Sequence, residues 1–566
     1  MTAIGIDFGT TNSVAALFRG STVDVLKLDD PPLDWQPYGF DAVFPSVMAN
    51  GSSGLTFGWT AKQAQTGRFD AVKRLFATQA DVAFDGSGDA LAVEEVATML
   101  FAEIRSRVVS GGVDATSAVI TVPANSKGRA RHRTKICAGM AGLQVLGLIN
   151  EPTAAAMAYA QRHPEARQLL VFDWGGGTLD VTVLHASEGV FIEQASAGLP
   201  TMGGIDFDSR LARLVRAGRP SPEPWTEEQK SDFKLQVELA KIRLSTAEET
   251  TVRLPDGSSV DVTRARFEKE VGALIEESRR PIERVLADIG SGPGSFDAVV
   301  LVGGTCRIPA VQAFVRDLMR LEPDASINPM TAVGEGAAIA AAVLSGQTDN
   351  YDFFVSTEHA LGTFAVDGRS GQLEFSTIIP RNHKLPAQAK QSYTPVHEEQ
   401  ESVRIEVVEG DPESDDPDYT VLKEWSVPLD REGDQRVESF DLSYEWDVSG
   451  ILRVVATDQA TGEVILDDDV SYGIAEDKKE MARLAGRARR AVESGELENG
   501  SEIQVDDPEA ADLVSKARTK IIPFLEGREA TDLQEIVRRV ETSTGPDLLN
   551  AKVDLRRALA EYSYLL

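Results

Sequence analysis

Apolar and polar positions divide the chain into three successive patterns. Up to about residue 346, short apolar runs alternate with stretches of helical spacing. Leu169, Leu170, Val171 and Phe172 form one such run and read as a buried strand. Asp173 ends it, Gly175 to Gly177 supply a turn, and Val181, Val183 and Leu184 begin an outgoing strand. Residues 3–6, 118–122 and 296–302 read as further strands. Helical spacing recurs at 91–109, where Leu91, Val96, Leu100, Ile104 and Val108 share a face, and again at 129–142, 227–245 and 308–319. Pro152 after Glu151 opens an alanine-rich helix, and residues 333–344 make a small-residue helix suited to close packing. Residues 347–357 are polar except for an apolar insert around Phe353 and Phe354, the composition of an interdomain linker. Alternation of period two then runs to about Val470, with turns at Gly410-Asp411-Pro412 and Ser449-Gly450, and predicts an antiparallel β-sandwich. From Glu476 helical periodicity returns, with Met481, Leu484 and Ala488 in one stripe and Leu548, Leu555, Leu559, Tyr562 and Leu566 in another. The expected division is 1–346, a linker at 347–357, a β-domain at 358–472 and a helical unit at 473–566.

Chemistry enters through the glycine turns. Three successive glycines, Gly175, Gly176 and Gly177, let backbone N–H groups approach an anion, and Thr178 adds a hydroxyl donor. Asp173 and Asp180 beside them would repel a bare phosphate, so the arrangement makes sense with a divalent cation. One such hairpin is a weak signal. The same grammar, however, occurs 166 positions earlier: apolar strand, Asp7, Gly9, Thr10, Thr11, Asn12, apolar strand. A repeat at that distance predicts two similar halves facing each other, gripping a nucleotide polyphosphate and its Mg²⁺ from both sides. Gly203-Gly204 before a helix and Gly303-Gly304 between strand and helix are further candidate ligand turns. Glu238, Lys241 and Ser245 share one helical face, which spacing alone favours as a solvated surface. Lys73 beside Arg74 reads, on the residues alone, as an exposed basic pair.

Composition narrows the partners. At 566 residues the chain has room for roughly four domains or subdomains. A net charge of −32 argues against nucleic acid or an anionic membrane as the main partner. Cys137 and Cys306 have no metal spacing and form no disulfide framework. The start lacks a signal-peptide pattern and no apolar run reaches spanning length, so a cytoplasmic protein is expected.

Five strings then appear in order: IGIDFGTTNS at 4–13, VKRL at 72–75, INEPTAAA at 149–156, DWGGGT at 173–178 and LVGG at 301–304. They resemble the ATPase domain of the seventy-kilodalton heat-shock chaperones, the DnaK-type family. The strings IIPRN at 378–382 and SGILRV at 449–454 resemble that family's peptide-binding β-domain, and the short helical end is most similar to the HscC branch. The resemblance implies a multidomain α/β, β and α architecture: an actin-like two-lobed ATPase, an antiparallel β-sandwich and a short helical lid. It implies ATP/ADP and Mg²⁺ as cofactors, with Asp7 and Asp173 holding the metal through water. Lys73 would reach the γ-phosphate and the attacking water, which Glu151 and Asp173 would orient, with Thr178 in the same catalytic group. Glu238, Lys241, Ser245, Gly304 and Arg307 would take the adenosine. Pro123 and Arg131 would pass the nucleotide state onward through a linker that includes Asp352. Expected partners are apolar segments of unfolded clients, a J-domain co-chaperone and a nucleotide-exchange factor. Met330 stands where the family usually has an aspartate near the nucleoside. Three alternatives stay open: a regulatory ATPase holding a narrow client set with weak coupling, a small-molecule kinase of the actin-like superfamily, and a filament-forming relative.

Overall fold

The computed structural model describes residues 2–51, 54–76, 82–84, 90–217, 225–357, 359–397, 400–412, 419–429, 436–447, 452–470 and 478–497, with scattered positions between 510 and 559. Two sheets on one plan organise its first part. In one, the strand order is Gln144–Asn150, Ala115–Val122, Thr2–Phe8, Asn12–Arg19, Thr22–Leu26. In the other it is Ala298–Val302, Gln168–Trp174, Leu179–Ser187, Val190–Leu199, Asp352–Phe354. Each contains a central strand that pairs in parallel with a later strand and antiparallel with the strand after its glycine turn. Asp7 lies opposite Val14 and Asp173 opposite Asp180, so the two aspartates occupy matching register positions beside their turns. The repeat in the sequence is thus a repeat of topology. Ile4, Ile6, Leu169 to Phe172 and Val299 to Val300 are fully enclosed, as strands covered on both faces require.

Helices Glu151–Arg162 and Ala332–Leu344 cross between the sheets, and their small residues explain how. A Cβ on Gly336 would stand 1.7 Å from the Ala154 carbonyl oxygen, and one on Gly5 would stand 2.1 Å from the Ala338 nitrogen. Backbones at that separation admit only glycine. The expected close-packing helix is present, and it fixes where Glu151 begins its helix. Elsewhere the expected boundaries move by a few residues. Leu91 belongs to the strand Ala90–Ala92, paired with Val82–Phe84, and the helix starts at Val93 with Glu94 and Glu95 in its first turn, where the dipole favours acids.

Within the stretch expected to be a linker, part of the chain is regular. Residues 352–354 form an edge strand, Asp352 opposite Val190 and Phe354 opposite Ile192, because the apolar insert supplies a short partner for an open sheet edge. The β-region consists of two four-stranded sheets, joined across their interior by the Tyr444 hydroxyl donating to the Gly362 carbonyl at 2.8 Å. The Asp367 to Gly371 turn is tied by the Asp367 carboxylate, which accepts from the Arg369 and Ser370 amides. Ser449, Gly450 and Ile451 lie outside the described residues.

The β-region packs against the first part through polar contacts. The Gly128 amide at the start of helix Gly128–Met140 donates to Glu409 at 3.1 Å, placing a carboxylate at a helix N-terminus. Lys127 donates to Thr420 at 2.8 Å, and Arg381 pairs with Asp288 at 2.6 Å. Helix Lys478–Ser494 lays Leu484, Ala488 and Ala491 into the core around Phe101 and Ile104, and Arg487 reaches Glu95 at 3.3 Å. Leu555 and Leu559 pack with Leu513 and Val537; Leu548, Tyr562 and Leu566 lie outside the described residues. Cys137 and Cys306 are both buried free thiols. No described helix is long and apolar enough to cross a membrane.

Candidate functional site

The two glycine turns meet face to face. A Cβ on Gly176 would lie 2.0 Å from the Thr11 hydroxyl oxygen, and one on Gly177 would lie 2.7 Å from that of Thr10. Gly203 backs onto the same turn, its hypothetical Cβ 2.5 Å from the Gly177 nitrogen. Gly303, at φ +83°, would put a Cβ 2.4 Å from the Trp174 carbonyl oxygen, and Thr305 donates to the Gly175 carbonyl at 2.8 Å. The turn Gly175–Thr178 is therefore clamped from three sides. Gly9 is equally restricted, with the Asn12 carbonyl oxygen 2.2 Å from its hypothetical Cβ.

Behind the turns sit Lys73, Glu151, Asp7 and Asp173. Lys73 donates to Glu151 at 2.6 Å, and both are more than nine-tenths buried. Asp7 accepts from the Thr121 hydroxyl at 2.8 Å. Burial, reinforced by the Glu151 charge, pushes the Asp7 carboxyl up to about 7, against the pull of Lys73. Burial, then Glu151, then Asp7 raise Asp173 well above the usual carboxylate range. In this group three carboxylates face one ammonium. Such a group is short of positive charge, and a divalent cation fits that need. No group of three or more His, Cys, Asp or Glu side chains among the described residues is arranged to ligate a metal directly. The buried Thr11 hydroxyl and the Asn12 side-chain oxygen have no hydrogen-bond partner among the described residues, as groups awaiting a ligand do.

A cavity of about 80 Å³ opens beside the turns, lined by Asn12, Glu238, Lys241, Ser245, Gly304 and Arg307 together with Phe40, Ile242 and Met330. The helical face of Glu238, Lys241 and Ser245 points into this cavity rather than to bulk solvent. Lys62 pairs with Glu238 at 2.7 Å, and Lys241 pairs with Asp208 at 2.8 Å while donating to the Gly204 carbonyl at 2.9 Å. Burial raises Asp208 to about 6 despite Lys241. Arg307 donates to the Tyr38 carbonyl at 2.5 Å, so residues from the two halves close over the pocket. A second cavity of about 190 Å³ adjoins it, sharing Thr11, Gly176, Gly204, Glu238 and Lys241.

Sequence reasoning missed Lys62, Phe40, Asp208 and the role of Arg74. Arg74 is buried; it donates to the Gly177 carbonyl at 3.0 Å and the Thr201 carbonyl at 3.1 Å, and pairs with Asp206 at 2.8 Å. Its signal was its place beside Lys73 on one short helical turn, opposite an aspartate that follows Gly203-Gly204. Pro123 and Arg131 are buried, Arg131 donating to Asn150 and to the Ser126 carbonyl. Asp352 stands apart from both: it is exposed, and its carboxylate accepts only the neighbouring Phe353 amide among the hydrogen bonds described.

A family model described as Hsp70 protein matches residues 53–547 of the chain. The chain is 31% identical to the chaperone protein DnaK of Thermus thermophilus, over 99% of this chain and 96% of that protein. It is 31% identical to DnaK of Deinococcus proteolyticus, over 87% and 82% of the two chains, and 33% identical to DnaK of Cyanidioschyzon merolae, over 87% and 85%.

Proposed function

Because the chain belongs to the Hsp70 protein family, we propose how its residues divide the work of an ATP-dependent molecular chaperone. The protein is an ATPase, hydrolysing ATP to ADP and phosphate in the service of client binding. The observation that carries the residue assignment is the Lys73–Glu151 pair buried beside Asp7 and Asp173 behind two opposed glycine turns. The backbone N–H groups of Gly9 to Asn12 and Gly175 to Thr178 hold the phosphates, with the unpartnered Thr11 hydroxyl and Asn12 side-chain oxygen completing the cradle. Gly203 and Gly204 support the second turn, and Gly303 fixes its far side. Lys73 places its ammonium at the γ-phosphate, where charge builds in the transition state, while Glu151 and Asp173 orient the attacking water. Asp7 and Asp173 would hold Mg²⁺, which would supply positive charge against the phosphates. Glu238, Lys241, Ser245, Gly304 and Arg307 form the adenosine pocket, with Met330 as an apolar wall.

The β-sandwich is the client-binding unit for apolar peptide segments, and the domains divide near 346, 357 and 472. Pairing of residues 352–354 with the second sheet supports coupling between nucleotide and client sites. A J-domain co-chaperone, a nucleotide-exchange factor, a cytoplasmic setting and closest kinship with the HscC branch complete the reading. Single-turnover hydrolysis by Lys73→Ala tests the site: a loss of at least about 10²-fold is expected, and an unchanged rate would sink the assignment.

A further inference from the structure

Glu193 is a buried carboxylate that the hydrolytic site does not use. It lies on strand Val190–Leu199, immediately after the three residues that pair with 352–354. Its Oε1 accepts from the Thr153 hydroxyl and, at 3.0 Å, from the Asn150 amide, which also reaches Oε2 at 3.0 Å. Oε2 accepts the Ser356 backbone N–H at 2.7 Å and the Ser356 hydroxyl at 3.1 Å. Asn150, Thr153, Glu193 and Ser356 are all at most 2% exposed. Asn150 and Thr153 flank Glu151 at the start of its helix, whereas Ser356 bridges to Lys384 of the β-region. Arg131 donates to the Asn150 side-chain oxygen, and its charge also acts directly on Glu193 in favour of the ionised form. A single carboxylate thus ties Ser356, at the entrance to the β-region, to both sides of the residue that holds Lys73.

From this arrangement we infer that Glu193 is the positioning residue through which occupancy of the 352–356 segment sets the orientation of Glu151. The inference rests on the assignment of Glu151 to hydrolysis made above. When Ser356 is in place, Glu193 is saturated with donors and holds Asn150 and Thr153 in fixed geometry. When Ser356 leaves, two donors are lost from a buried carboxylate, whose proton affinity burial already raises. The carboxylate then draws on Asn150 and Thr153 or takes a proton, and either response moves the helix start that carries Glu151. Asp352, the acid expected to couple the domains, is not needed for this link.

The test compares wild type with E193Q, S356A and S356T in the full chain. Glutamine keeps the shape but turns one acceptor into a donor facing other donors. E193Q is expected to lower the ratio of peptide-stimulated to basal single-turnover hydrolysis about tenfold, or to one where the wild-type ratio is smaller, with the KM for ATP unchanged. S356A shifts it in the same direction, S356T restores it, and the E193Q/S356A pair is non-additive. Amide exchange of residues 352–356 with ATP bound becomes about tenfold faster in E193Q. An unchanged ratio together with unchanged exchange overturns the inference, since a merely structural glutamate would lower stability without touching either. Wild-type hydrolysis indifferent to peptide would instead contradict the coupled-function reading, and the exchange comparison would still decide whether Glu193 holds the segment.

Discussion

Gly336→Ala is a one-methyl change whose cost follows directly from the fold. The added Cβ would stand 1.7 Å from the Ala154 carbonyl oxygen and 2.2 Å from its carbon, about half an ordinary contact distance. Both opposing atoms are backbone, so no side chain can rotate away. Helices Ala332–Leu344 and Glu151–Arg162 must separate, loosening the interior around Met157 and Ile339. Overpacking of this kind costs about 1–3 kcal/mol, and a backbone clash belongs at the upper end. About 3 kcal/mol lowers the melting temperature of a unit this size by roughly 4 °C. The displacement also moves Glu151 relative to Lys73, so hydrolysis falls with stability. Gly139→Ala is the control: it lies inside helix Gly128–Met140 with nothing within 4 Å of its Cβ, and should be neutral or stabilising by up to about 1 kcal/mol. Differential scanning calorimetry of both variants decides. A Gly336→Ala melting temperature equal to that of Gly139→Ala would refute the packing argument.

Two further outcomes follow from charged contacts. Arg74→Met leaves Asp206 buried without its counter-ion and should lower stability by about 3–5 kcal/mol, whereas Arg74→Met with Asp206→Asn recovers part of that loss; purely additive melting temperatures would contradict the pairing. His359 is half-buried where the β-region meets the Asn125 carbonyl, facing Lys127, Arg381 and Asp411, and desolvation lowers it to about 4 from 6.5. A lowered histidine pKa favours the separated, protonated form as pH falls. Contact between the two regions should therefore be fully kept above about pH 6.5 and weaken towards pH 4, by roughly 1 kcal/mol at pH 5.5. Small-angle scattering across that range checks it, and a profile identical in His359→Gln would contradict it.

The strands were legible because both faces are covered, leaving near-continuous apolar runs such as Leu169 to Phe172. The two-halves reading was legible because Asp7 and Asp173 sit at matching register positions beside glycine turns that admit no side chain. Arg74 and Lys62 were not, since an arginine or lysine on a short helical turn looks solvated until its partners arrive from positions 132 and 176 residues away. Glu193 was invisible for the same reason: an isolated acid in an alternating strand predicts an outward face, and only Asn150, Thr153 and Ser356 converging on it make it internal. The pairing of 352–354 was not legible, because three residues carry too little periodicity to predict a strand.

On the proposed reading, ATP hydrolysis behind the two glycine turns is coupled to peptide held by the β-sandwich. Single-turnover ATP hydrolysis by the full-length protein, with and without a short apolar peptide, tests it most directly. Faster hydrolysis with peptide, lost in Lys73→Ala, is the predicted result. A rate that peptide leaves unchanged, or that survives removal of Lys73, would contradict it.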